Sequence, residues 1–126
     1  MTIRFESTKK FEKELGKFPL KEKSRIILKL NQYSQLLETK SEDFYKHAYQ
    51  PVKLKLTGDD ESSLYALRVN KDIRIILTVD DDPLFDQILI TLLHVVRHSN
   101  LNKVFNGIAE SIYQNTLNAG SAKGDS

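Results

Sequence analysis

Polar and apolar residues alternate most regularly between Leu64 and Val79, in the run LYALRVNKDIRIILTV. Tyr65, Leu67 and Val69 share one parity on the first arm. Ile73, Ile75, Leu77 and Val79 share one on the second, after Asn70-Lys71-Asp72. A period of two puts one face of a strand into a core, so the run predicts two strands joined by a tight turn. With Val69 and Ile73 flanking that turn, Arg68 lies directly across from Arg74 on the opposite face. Like charges directly opposite on paired strands destabilise a sheet. An anion held between them would relieve the repulsion.

The other elements follow from the same kind of pattern. Thr2 to Glu6 predicts a short strand with Ile3 and Phe5 on one side. Ser7 or Thr8 can cap the next helix, in which Phe11, Leu15 and Phe18 form a stripe that ends before Pro19. A longer helix over about Lys21–Glu38 buries Ile26, Leu30, Tyr33 and Leu37, with Ile27 and Leu36 at the edges. The two helices form an αα-hairpin with a basic outer surface. Residues 39–51 have no period and read as a loop. Val52, Leu54 and Leu56 alternate with Lys53 and Lys55 as a short strand. Asp80-Asp81-Asp82-Pro83 reads as a turn. Gln87 to Val96 is apolar enough to be a central strand covered on both faces. Asn100 caps a last helix carrying Leu101, Val104, Phe105, Ile108 and Ile112.

The expected fold is therefore α+β, with an N-terminal strand and an αα-hairpin packed on an antiparallel β-meander, followed by a C-terminal helix. One domain covers residues 1–117, and residues 118–126 (NAGSAKGDS from 118) read as a disordered tail. The helical hairpin covers one face of the sheet. The other face is expected to carry Lys53, Lys55, Arg68 and Arg74.

Composition narrows the function classes. The chain has 126 residues, 40% hydrophobic and 29% charged, with a formal net charge of +2 and no Cys. Disulfide frameworks and thiolate chemistry are excluded, and a reducing cytoplasm is the expected location. No apolar run approaches the ~20 residues of a membrane span, and MTIRFESTKK lacks the apolar core of a signal peptide. Bases outnumber acids over residues 1–50. After that, acids cluster at Asp59-Asp60-Glu61 and Asp80-Asp81-Asp82, while bases spread along strands.

Four bases from three consecutive strands (Lys53, Lys55, Arg68 and Arg74) thus share a surface, and Lys71 projects from the turn beside them. Arg97 and His98 end the next strand, with His94 inside it. Guanidinium forks pair bidentately with phosphate oxygens, and a histidine can exchange a proton nearby. In RNA the 2′-hydroxyl can attack the adjacent phosphate, so neither metal nor cofactor is required. The two acidic clusters are a poor metal site, because consecutive Asp side chains diverge. No P-loop, dinucleotide fingerprint or zinc spacing is present.

On these residues the chain resembles the RelE/ParE superfamily of type II toxins. The likeness runs from Thr2 to about Tyr113. It rests on the element order, on Leu54-Lys55-Leu56-Thr57-Gly58, on LYALRVNKDIRIIL and on HVVRHSNLNKVF. The recurring Tyr-x-x-Arg-Val strand, turn and Arg correspond to Tyr65, Arg68, Val69 and Arg74. The resemblance implies a toxin held by a cognate antitoxin in a hetero-oligomer. In the RelE-like branch it implies metal-independent cleavage of mRNA on the ribosome. Arg68 and Arg74 would then hold the phosphate, Lys53, Lys55 and Lys71 would bind substrate, and Arg97 with His98 would serve the leaving group. The family's proton-transferring Tyr corresponds to Phe105, which has no proton to give, so His98 is expected to substitute. The alternatives are a ParE-like inhibitor of DNA gyrase and a degenerate member that keeps only antitoxin binding.

Overall fold

The computed structural model describes residues 2–49 and 64–108. The expected strand at Val52–Leu56, with Lys53 and Lys55, lies outside the described residues. So do the acidic loop at Asp59–Glu61, Ile112, the boundary at 117 and the tail.

The chain begins with β1 (Thr2–Ser7), followed by α1 (Lys9–Gly16) and α2 (Leu20–Thr39). Thr8 is the cap of α1: its Oγ1 accepts from Phe11 N at 3.1 Å, one of the donors a first helical turn leaves without a partner. Pro19 separates the two helices and stands immediately before α2. The stripe of α2 packs as its spacing requires. Ile26 and Leu37 are fully buried, and Leu30, Tyr33 and Leu36 pack against the same core.

Residues 39–51 are not simply a loop. They contain α3 (Ser41–His47) and the two-residue strand β2 (Ala48–Tyr49). A helix of seven residues is too short to show a repeating stripe. Phe44 holds it instead, fully buried and edge-on to Tyr33 at 6.2 Å between ring centres.

The alternating run folds as the hairpin of β3 (Leu64–Arg68) and β4 (Ile73–Asp82), with Tyr65 opposite Leu77, Leu67 opposite Ile75 and Arg68 opposite Arg74. β4 then runs through all three aspartates, which pair with residues of β5 (Gln87–Arg97). The expected turn at Asp80–Pro83 is therefore corrected to Pro83–Asp86. Alternation along β4 also sends Asp81 to the face opposite Asp80 and Asp82, which undoes the acidic cluster. The sheet order is β1-β5-β4-β3-β2, with β1 parallel to β5 and the other pairings antiparallel.

One irregularity decides where β5 directs its side chains. Leu77 pairs with Leu92, but Ile76 pairs with His94, leaving Leu93 as the extra residue of a bulge. Without it, His94 would oppose Ile75 in the main core. With it, Val95 takes that place, and His94 Nδ1 lies 2.9 Å from Glu14 Oε1 on α1.

Both faces of the sheet are apolar. Leu67, Val69, Ile75, Leu77, Ile90 and Val95 pack beneath the helical hairpin with Phe11, Ile26, Leu37 and Phe44. On the other face Leu64, Ala66, Ile76 and Val96 pack with Leu101 and Phe105. Those last two belong to α4, residues 101–108, which follows a 3₁₀ turn at His98–Asn100. The face expected to be an open basic surface is therefore partly a second core, and Arg68 and Arg74 occupy its hairpin end.

Candidate functional site

The turn between β3 and β4 is tied down by one side chain. Asn70 Oδ1 accepts from Asp72 N at 2.8 Å and from Ile73 N at 2.9 Å, and Val69 N donates to Ile73 O at 3.0 Å. An Asn at this position satisfies donors that a reversing chain would leave open. The turn is also fastened to the end of β5, where His98 N donates to Asp72 O at 2.6 Å.

Arg68 and Arg74 share this end but not an environment. Arg68 is exposed. Arg74 is 8% exposed, and its Nη1 donates to Asn70 O at 2.5 Å and to Ile73 O at 3.1 Å. Carbonyl oxygens therefore carry part of the burden that an external anion was expected to carry. Tyr33 reaches the same place from α2: its hydroxyl donates to Arg68 O at 2.7 Å. Burial pushes the Tyr33 phenol above its ordinary range, against the opposing pull of the Arg68 and Arg74 charges.

Beside the turn lies an open cleft of about 460 Å³. Lys21, Glu22 and Arg25 line it from α2, Asn70, Lys71 and Asp72 from the turn, and Arg97 from β5. Arg97 is anchored on every side. Its Nη1 lies 2.6 Å from Asp72 Oδ2 and 2.9 Å from Glu22 Oε2, and its guanidinium sits 4.8 Å from the Phe18 ring centre. The hydrogen bond to Asp72, and then the Glu22 carboxylate, raise its pKa further above an already high value. Glu22 Oε2 is closed off from solvent, and Arg97 is the cation that faces it at 2.9 Å.

The structure thus brings Arg68, Arg74, Lys71, Arg97 and His98 to one end of the molecule but not to one face. Arg68 and Arg74 lie on the side of the second core, and Arg97, paired with Ile73, lies on the side of the helical hairpin. Lys71 and His98 are exposed there. Phe105 is not at the surface: it is 1% exposed and fills the second core. His94 stands apart, held by Glu14. Glu22 and Tyr33 carry no signal in the sequence as members of this end, and Asp72, placed there by the turn, carries none as the partner of Arg97. Tyr33 carries the stripe signal of a core residue, and the two acids have no sequence neighbour that points to Arg97. Lys21 and Arg25 were visible only as part of a basic helix surface.

What this end can do is bind an anion. Arg68 offers positive charge on the second-core side, Lys71 at the turn, and Lys21 and Arg25 at the cleft, while Arg74 and Arg97 are each held by fixed partners. Among the described residues no group of three or more His, Asp or Glu side chains is arranged to hold a metal ion. No helix among them is long and apolar enough to cross a membrane.

No family model matches the chain, and no curated protein sequence matches it. It is similar to several solved structures. One is a YoeB/ParE toxin from Agrobacterium tumefaciens, 14% identical, covering 78% of this chain and 99% of that one with a TM-score of 0.43. A second is the RelBE2 toxin–antitoxin complex from Mycobacterium tuberculosis, 17% identical over 77% and 96%, TM-score 0.39. A third is the conserved hypothetical protein HP0894 from Helicobacter pylori, 19% identical over 78% and 97%, TM-score 0.35.

Proposed function

We propose that this chain is the toxin of a type II toxin–antitoxin pair and that it cleaves mRNA on the ribosome. The observation that carries the reading is the register of Arg68 against Arg74 at the end of the sheet where Lys71, Arg97 and His98 also gather. In the proposed reaction the RNA 2′-oxygen attacks the adjacent phosphorus and the bond to the 5′-oxygen breaks. A 2′,3′-cyclic phosphate and a 5′-hydroxyl end result. Arg68 pairs with the non-bridging oxygens, where charge grows in the transition state. Arg74, fixed on its carbonyls, adds positive potential from below. Lys53 or Lys55 activates the 2′-hydroxyl, and Lys71 holds the strand. His98 gives its proton to the leaving oxygen, with Arg97 beside it. A cognate antitoxin would silence the protein by covering this end.

The exposed arginine makes the cleaner test. Arg68→Ala should leave the circular dichroism spectrum unchanged and abolish mRNA cleavage on programmed ribosomes, read by mapping new 5′ ends. Full cleavage by that variant removes the assignment.

A second reading has its own support. Arg97 is already neutralised by two carboxylates, and Phe105 sits in the core where the family pattern has a proton donor. Both features fit a member that binds without cleaving, either a gyrase inhibitor or an antitoxin-binding relic. Inhibition of gyrase supercoiling with intact mRNA would select the first. Inertness in both assays would select the second.

A further inference from the structure

β1 is one margin of the sheet. It pairs with β5 on one side, and among the described residues nothing pairs with its other side. Two hydrogen bonds fix which of its backbone groups face outward. Thr2 N donates to Asp86 O at 3.2 Å, and Thr8 N donates to Leu92 O at 3.0 Å. In a strand the N–H and C=O of one residue point to the same side, and the next residue points to the other. The even-numbered residues therefore serve the ladder to β5. Ile3, Phe5 and Ser7 turn their donors and acceptors outward.

Such a row is a template for another strand unless charge blocks it. The charges here do not block; they choose. Arg4 and Glu6 project on the same face with more than half of each side chain exposed, 3.8 Å apart at their nearest atoms. A second copy can approach antiparallel in three registers that use the outward groups at the middle of the strand. Centred on Arg4, it sets Arg4 against the same residue of the other copy. Centred on Glu6, it opposes two glutamates. Centred on Phe5, it exchanges both Phe5 backbone hydrogen bonds, places Ile3 opposite Ser7, and sets Arg4 opposite Glu6 twice. Opposite charges across a ladder stabilise it and like charges destabilise it. One register is thus favoured and its two neighbours are penalised. Phe5, 36% exposed in the single chain, meets its own copy on the two-fold axis.

We propose that this chain self-associates edge to edge through β1, forming an isologous dimer with one continuous sheet. The contact leaves the Arg68–Arg74 hairpin open, because β4 and β3 lie on the far side of β5. A six-residue strand buries a small interface, so the dimer is a reversible one.

Sedimentation velocity of the full chain over a concentration series tests this. The wild-type chain should shift from monomer to dimer as concentration rises. Arg4→Glu and Glu6→Arg should each weaken the dimer about tenfold or more, since both then oppose like charges twice. An equimolar mixture of the two single variants should recover it, because every contact between them then opposes an acid to a base. Phe5→Pro removes an outward donor and no ladder bond to β5; it should abolish the dimer with the circular dichroism spectrum unchanged. A wild-type chain that stays monomeric throughout overturns the proposal, including where the edge takes a strand from a different protein. So does a dimer indifferent to these substitutions, or a mixture no tighter than its components.

Discussion

Two turns close the two ends of β4, and they are built differently. The turn at Asn70–Asp72 is bound internally by Asn70, to β5 through His98 N, and to α2 through Arg97 and Glu22. The turn at Pro83–Asp86 is tied to β1, where Asp86 O accepts from Thr2 N at 3.2 Å, and its tip is open. Asp82 accepts from Phe85 N at a long 3.4 Å and from Gln87 Nε2 at 3.1 Å, and Leu84 and Phe85 stand 82% and 71% exposed. Asp86 takes a positive φ of 50°, a conformation Asp tolerates better than most residues. Bonds from three elements converge on the first turn and hold Arg74 and Arg97 at fixed positions. The second reverses the chain and meets the start of β1. Convergent bonding therefore fixes the geometry of the end that carries the clustered cations.

That contrast can be broken most severely through the two phenylalanines. Phe105 shares a cluster with Val96, the residue paired with Arg74. Phe105→Ala should cost about 3–5 kcal/mol in urea unfolding, the usual loss for a buried aromatic ring. Phe85→Ala, at the loose end, should stay within about 0.5 kcal/mol. Similar losses for both would erase the distinction.

Asn70→Ala strips two backbone donors of their acceptor and should cost about 1–2 kcal/mol. Asp82→Ala, whose bonds are longer, should cost less than half of that by the same measurement.

Tyr33→Phe removes one partly exposed hydrogen bond, worth about 0.5–1 kcal/mol near neutral pH. The pH dependence is more telling. The folded phenol titrates above the unfolded one, so the native state holds its proton longer. Stability should be full below the ordinary tyrosine range and decline as pH rises through it. Tyr33→Phe should flatten that alkaline decline, and an unchanged slope would show that the phenol does not feel its burial.

The smallest effect is expected at Arg97, a half-exposed ion pair. Arg97→Ala should lower Tm in dilute buffer, and the difference should shrink as salt screens the wild-type pairs. A salt-independent loss would instead point to the packing of Arg97 on Phe18.

What the sequence by itself determined is which residues share a face. Period two over Leu64–Val79 placed Arg68 opposite Arg74, and helical spacing picked out Ile26 and Leu37 as core. A cap at Ser7 or Thr8 and a break at Pro19 placed the starts of α1 and α2. All of these depend on residues within a turn or two of each other. What only the tertiary structure decided is what each face meets. The seven residues of α3 form because Phe44 finds a core. β4 continues through three aspartates because β5 supplies a ladder there. The bulge at Leu93 removes His94 from the main core. Arg97 loses its freedom to Glu22 and Asp72, and Arg74 turns onto carbonyls. Those partners come from elements remote in sequence, and local periodicity holds no record of them. A pattern can say that a side chain needs burial or a counter-charge, but the partner is chosen only when the elements pack.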